Sequence, residues 1–185
     1  MAVYTRTGDD GTTGNLRGRM EKTEQLTETL GAIDELNSWI GYVRTELERG
    51  DRTQKTRFKQ ADAELRNIQD NLMTVATILA GGKLKISKRE VSELEKLMDR
   101  EMKRLPKLTN FIFPAGQLQV ARAVARRAER ETVRLIKGEE VLIDRNGAKI
   151  ILAYMNRLSD ALFILARVIN YEEKRKERVW KKIQK

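Results

Sequence analysis

The chain has no cysteine and no histidine. Without cysteine there is no disulfide, no thiolate metal site and no thiol nucleophile. Without histidine the commonest general base and the commonest metal ligand are missing too. Any chemistry must therefore rest on carboxylates, lysine, arginine, hydroxyls, backbone amides or a bound cofactor. Proline occurs only 2 times and aromatics make up 5% of the residues. Few rings are left to stack on bases, which argues against a nucleic-acid-binding protein. No apolar run reaches the roughly 18 residues of a membrane span. The N-terminus shows no apolar signal core, so the cytoplasm is the expected location.

What the chain has in excess is charge. Charged residues are 35% of the 185, and the formal net charge is +10. A chain of this length is expected to form one domain with a real core. The positive balance suits an anionic partner without naming it.

The cations concentrate in Val120 to Arg130, VARAVARRAER. The stretch lacks Gly and Pro and is rich in strong helix formers. On a helix, Arg122, Arg126 and Arg130 follow at i, i+4, i+8 and form one ridge. Ala121, Ala125 and Ala128 lie on an adjacent face, small enough to admit another helix. Glu129 alone cannot neutralise Arg122, Arg126, Arg127 and Arg130. One reading is a solvated basic face. The other is a polyphosphate site, because guanidinium offers planar, paired donors to phosphate oxygens.

Residues 1–19 differ from the rest. Gly recurs at 8, 11, 14 and 18, and Thr at 5, 7, 12 and 13. Val3, Tyr4 and Thr5 suit a very short strand, followed by a turn-rich loop that exposes amides and hydroxyls. Such loops can wrap phosphates, although the Walker pattern is absent.

From about Thr23 the apolar period becomes helical. A first helix carries Leu26, Leu30, Ile33, Leu36, Ile40, Val43 and Leu47, and Gly50-Asp51 ends it. Asp34 and Asn37 border its apolar stripe. A second helix is predicted from about Arg52 to Ala80, with Phe58, Ala61, Leu65, Ile68, Leu72, Val75 and Leu79 as its seam. Gly81-Gly82 stops it. Ser87 and Glu90 make a capping box for a third helix, which uses Val91, Leu94, Met98 and Leu105 and closes before Pro106. Residues 106–116 form an apolar loop expected to be buried or to line a pocket. The arginine helix is predicted over 117–137. A fifth runs from about Ala148 past Trp180, with a charged end that frays or is solvated. Five such helices make an all-α bundle after a short irregular, strand-like N-terminal segment. Seams of this length also suit self-association.

In order along the chain stand YTRTGDDGTTG, Lys22, GAIDELNSWIG, FIFPAG, ARAVARRAER and YMNRLSDALFILAR. Together they resemble the PduO-type ATP:cob(I)alamin adenosyltransferases over about residues 4 to 167. The resemblance implies a single domain over 1–185, with 1–22 as a nucleotide-wrapping loop and 23–183 as the bundle. It implies a homotrimer with active sites between subunits. It implies transfer of the 5′-deoxyadenosyl group of ATP to the cobalt of cob(I)alamin or a related corrinoid, with Mg²⁺ present and triphosphate released. A corrinoid reductase and a cobalamin-dependent enzyme would be natural partners; nucleic acid and membrane would not.

By that resemblance, Thr5, Arg6, Thr7, Gly8, Thr13 and Gly14 match the loop around the nucleotide, and Lys22 matches the lysine that reaches the phosphates. Arg126, Arg127, Glu129 and Arg130 match the nucleotide-contacting block, with Arg126 closest to catalysis. Asn156 matches a further ATP ligand. Asp34 matches an acid that pairs across the subunit interface with Arg122. Phe111 matches the aromatic that closes the lower face of the corrin. The pattern departs before the arginine helix: the usual Gly-Gly is Ala115-Gly116, the segment is about one turn short, and Gln119 stands at the family's His. The resemblance leaves the Mg²⁺ ligands unnamed. A metal-centred nucleophile needs no Ser, Cys or His, which suits this composition.

Overall fold

The computed structural model describes residues 4–16, 18–49, 51–138 and 141–181. Two short strands precede five helices: β1 (Thr12–Asn15), β2 (Gly18–Glu21), α1 (Gln25–Glu48), α2 (Arg52–Leu79), α3 (Lys88–Met102), α4 (Gln117–Lys137) and α5 (Arg145–Glu172). α4 packs between α1 and α5; α2 lies on α1, and α3 lies on α5. No helix among the described residues is long and apolar enough to cross a membrane.

The expected seams are the core. Every seam residue of α2, from Phe58 to Leu79, is buried. So are Leu26, Ile33, Leu36, Ile40, Val43 and Leu47 on α1, with Leu30 half-buried. Tyr154, Met155 and Leu158 of α5 are fully enclosed at the centre. Burying each large side chain contributes about 1.5–3 kcal/mol. Ala121, Ala125 and Ala128 are fully buried. Their small size lets α4 sit close to both neighbours, which turns its arginines outward.

The helix ends follow local chemistry. Asp51 caps α2 by accepting from Gln54 N at 2.9 Å. Ser87 and Glu90 form the expected capping box of α3. After α2, Gly81 takes φ 96 and Gly82 N returns to Thr77 O at 2.8 Å, a glycine-dependent stop.

Two expectations change, and a third resolves between its alternatives. The Thr/Gly segment is not all loop. Thr12 pairs with Glu21, Thr13 with Met20 and Gly14 with Arg19 in an antiparallel hairpin. Tyr4 and Thr5 are not in a strand, while Val3 lies outside the described residues. The apolar loop takes the second of its expected places: Phe111 is 80% exposed, and the loop lines a cleft with Arg122 and Phe163. The fifth helix is displaced at both ends. It starts at Arg145 because Asp144 caps it through Gly147 N at 2.7 Å. It stops at Glu172, where Lys174 adopts φ 57 and Arg175 N turns back to Asn170 O at 2.8 Å. Residues 175–181 then run along the 106–116 loop instead of extending the helix. Val179 bridges Ile112 there.

Candidate active site

Two groups of the expected residues come together within the chain. The first is built by the hairpin. Lys22 follows β2 directly, so its side chain is carried back over the preceding loop. Its Nζ donates to Gly8 O at 2.8 Å, and its own amide donates to Gly11 O at 2.9 Å. A Cβ on Gly8 would lie 2.8 Å from Thr12 O, so only glycine lets the loop approach the strand this closely. Thr5 and Thr7 share a hydroxyl hydrogen bond of 2.8 Å. Arg6 sits at φ 60 with its guanidinium over the Tyr4 ring. Thr13 and Gly14 stand in β1. The Asp10 carboxyl is held below the usual range by the Thr12 hydroxyl and amide, with Arg19 adding to the effect against slight desolvation.

The second group belongs to α4 and α5. Arg126 and Arg130 are exposed, and Arg130 Nη1 donates to Arg126 O at 2.9 Å. Neither forms an ion pair among the described residues. Arg127 does: it pairs with Glu35 of α1. Asn156 of α5 donates to Glu129 Oε1 at 3.0 Å and accepts from Arg157 Nη1 at 2.8 Å. Arg157 Nε is in turn bound to Glu95 Oε1 at 3.0 Å. Both ends of the Asn156 amide are therefore oriented. Like charges crowded along a helix repel one another. A ridge left open after Arg127 is matched is suited to an anion with several oxygens.

Of the remaining expected residues, Asp34 and Arg122 share no hydrogen bond or ion pair within one chain, whereas Arg122 and Phe111 line one cleft. Asp34 lines a shallow cleft with Leu30, Ile33, Asn37, Met73 and Ala76. Arg122 donates through Nε to Gln119 Oε1 at 2.7 Å. Arg122 also lines an open cleft of about 560 Å³ with Phe111, Pro114 and Phe163. Among the described residues, no hydrogen bond or ion pair links residues 4–22 to the arginines of α4.

Sequence reasoning missed three side chains. Arg19 donates to Thr7 O and Thr12 Oγ1 and so ties the loop to the hairpin. Its place opposite Gly14 follows from a register that a Gly-rich stretch does not announce. Arg157 stood beside Asn156 in plain view. Glu95 reaches it from another helix, which no local pattern shows.

The fold and the ridge define a class: an all-α bundle with an exposed arginine ridge along one helix face. A sequence model of the cobalamin adenosyltransferases matches residues 3–169, and the chain belongs to that family. The corrinoid adenosyltransferase of Bacillus subtilis (strain 168) is 38% identical over 179 residues, covering 92% of this chain and 87% of that protein. The corrinoid adenosyltransferase MMAB of Homo sapiens is 34% identical over 189 residues, covering 97% and 73%. Among solved structures, a variant PduO-type ATP:corrinoid adenosyltransferase from Lactobacillus reuteri complexed with cobalamin and ATP matches with a TM-score of 0.84. The identity is 29%, and 98% of this chain and 97% of that one are covered. Another variant of the same enzyme, complexed with ATP, gives a TM-score of 0.83 at 30% identity, with 97% and 100% covered.

Proposed function

We propose that this chain transfers the 5′-deoxyadenosyl group of ATP to the cobalt of cob(I)alamin or a related corrinoid, forming adenosylcobalamin and releasing triphosphate. The observation that carries the reading is the unmatched pair of guanidinium groups, Arg126 and Arg130, beside the oriented amide of Asn156. The family match supplies the reaction class.

The electron pair of Co(I) forms the bond to C5′. The C5′–O bond breaks, and its electrons leave with the triphosphate. The cofactor-like substrate brings its own nucleophile, so the protein positions and stabilises charge. Arg126, Arg130 and Lys22 stabilise the departing triphosphate through fixed donors. Arg127, Glu129 and Asn156 orient the nucleotide. Thr5, Arg6, Thr7, Gly8, Thr13 and Gly14 wrap it. Phe111 faces the corrin and disfavours a lower axial ligand. Mg²⁺ favours phosphate and carboxylate oxygens. A bound Mg²⁺ would add positive charge beside the phosphates, next to Lys22, Arg126 and Arg130.

Among the described residues no hydrogen bond or ion pair joins the two residue groups in one chain, and the reading assigns the loop of one subunit to the arginine helix of the next, in a homotrimer. Two features support this. The Asp34 cleft is apolar and open, and Asn37 Oδ1 beside it is buried with no hydrogen-bond partner among the described residues. Arg122 forms no ion pair among the described residues and is available to Asp34 of a neighbouring copy.

Titration calorimetry tests the site. The reading expects micromolar, Mg²⁺-dependent ATP binding and no affinity for an oligonucleotide at moderate salt. Tight oligonucleotide binding without ATP binding would overturn it.

A further inference from the structure

The family match ends at residue 169. Residues 175–181 form a strap against the loop that carries Phe111, and two residues of α5 hold both segments. Arg167 is 3% exposed and meets Glu177 with both ends of its fork: Nε to Oε1 at 2.7 Å and Nη2 to Oε2 at 3.0 Å. The same Nη2 donates to Pro106 O at 2.7 Å. Asn170 repeats the arrangement at the other end of the loop. Its Nδ2 donates to Ala115 O at 3.1 Å, and its carbonyl accepts from Arg175 N at 2.8 Å.

Between these anchors the two segments pair directly. Phe113 N donates to Arg178 O at 2.8 Å, and Trp180 N donates to Phe111 O at 2.7 Å. The Arg178 guanidinium lies 4.0 Å from the Phe113 ring centroid. An isolated two-stranded pairing is marginal in water. Here the strand partners are short and largely exposed. Something stronger must hold the strap, and a bidentate pair with a buried guanidinium is the strongest contact it makes. Removing the carboxylate would leave Arg167 enclosed with only the Pro106 carbonyl, which favours opening of the strap.

We propose that the Arg167–Glu177 pair is a latch, and that Glu177 is a positioning residue for the corrinoid-facing loop. The latch holds the strap, the strap's amide holds the Phe111 carbonyl, and Phe111 thereby keeps one place at the mouth of its cleft. This rests on the assignment of Phe111 to the corrinoid side made above.

The test compares Glu177→Gln with the unaltered full-length protein. Hydrogen exchange at the Phe113 and Trp180 amides should accelerate about tenfold or more, as the strap opens locally. In steady-state assays the KM for cob(I)alamin should rise by about tenfold while the KM for ATP stays within about twofold. With ATP bound, the fraction of four-coordinate Co(II) corrinoid should fall. Trp180→Pro removes the amide given to Phe111 and leaves Arg167 and Glu177 intact. It should show the same split in KM, and it answers the question if Glu177→Gln does not fold. Unchanged exchange in Glu177→Gln would overturn the latch. Faster exchange with an unchanged corrinoid KM would overturn the positioning role. If the unaltered protein makes no adenosylated corrinoid, the proposed function fails, and the exchange result still decides the latch.

Discussion

Lys22 reaches back over 14 residues to the carbonyl of Gly8, and the missing side chain of Gly8 lets that loop lie against the Thr12 carbonyl. The ammonium is thereby placed on the loop that the family resemblance assigns to the nucleotide. Replacing Gly8 with alanine sets a methyl 2.8 Å from Thr12 O and 3.4 Å from Lys22 Nζ. Gly8→Ala should weaken ATP binding by at least about tenfold, roughly 1.4 kcal/mol. Gly8 itself lies on a loop outside the buried core, so the thermal midpoint should barely move. Calorimetry and a melting curve check both; unaltered ATP affinity would count against the loop's role.

Arg126 is exposed and unmatched by any carboxylate among the described residues, while Ala125 beside it is buried. Arg126→Ala should therefore leave the bundle intact and lower kcat by about a hundredfold or more, roughly 3 kcal/mol of barrier. Circular dichroism and single-turnover kinetics separate these effects. Near-normal turnover would refute the assignment.

Asp34 and Arg122 do not meet within one chain. If they meet between copies, Asp34→Arg and Arg122→Asp should each weaken assembly, and the double exchange should restore it in part. Light scattering reads the mass directly. Trimers of full stability in both single variants would exclude the pairing.

Glu131 gives a dependence on pH. Its carboxyl is held below its ordinary value by Arg134 first and Gln25 second, against weak desolvation. Gln25 donates to it at 3.0 Å, and Thr29 reaches the Glu131 carbonyl at 3.2 Å, so the residue ties α4 to the start of α1. A depressed folded pKa contributes stability that is complete above about pH 4.5 and is lost as pH falls through the folded value. The melting temperature should fall over that acid range in the natural protein, and by less in Glu131→Gln. Identical acid profiles would remove Glu131 from the account.

The bundle is legible in the sequence wherever burial is periodic. α2 shows this best, because apolar residues recur by threes and fours and each one is enclosed. The end of α5 is not legible. Lys174, Arg175 and Lys176 favour a helix locally, and the chain turns where Arg175 N returns to the Asn170 carbonyl and Glu177 meets Arg167 inside the fold. The hairpin is hidden for another reason: Thr12 to Asn15 is too short and too rich in glycine and threonine to show a strand period. For the site, the arginine ridge reads directly from helical spacing. The contacts of Arg19 and Glu95 do not, since each joins residues distant in sequence. The expected pairing of Asp34 with Arg122 depends on a second copy.

The most direct test mixes the purified protein with ATP, Mg²⁺ and chemically reduced cob(I)alamin. The account predicts a light-sensitive cobalt–carbon product and one triphosphate for each corrinoid converted. ATP consumed to diphosphate and phosphate with no alkylated cobalt, or no ATP consumed at all, would contradict it.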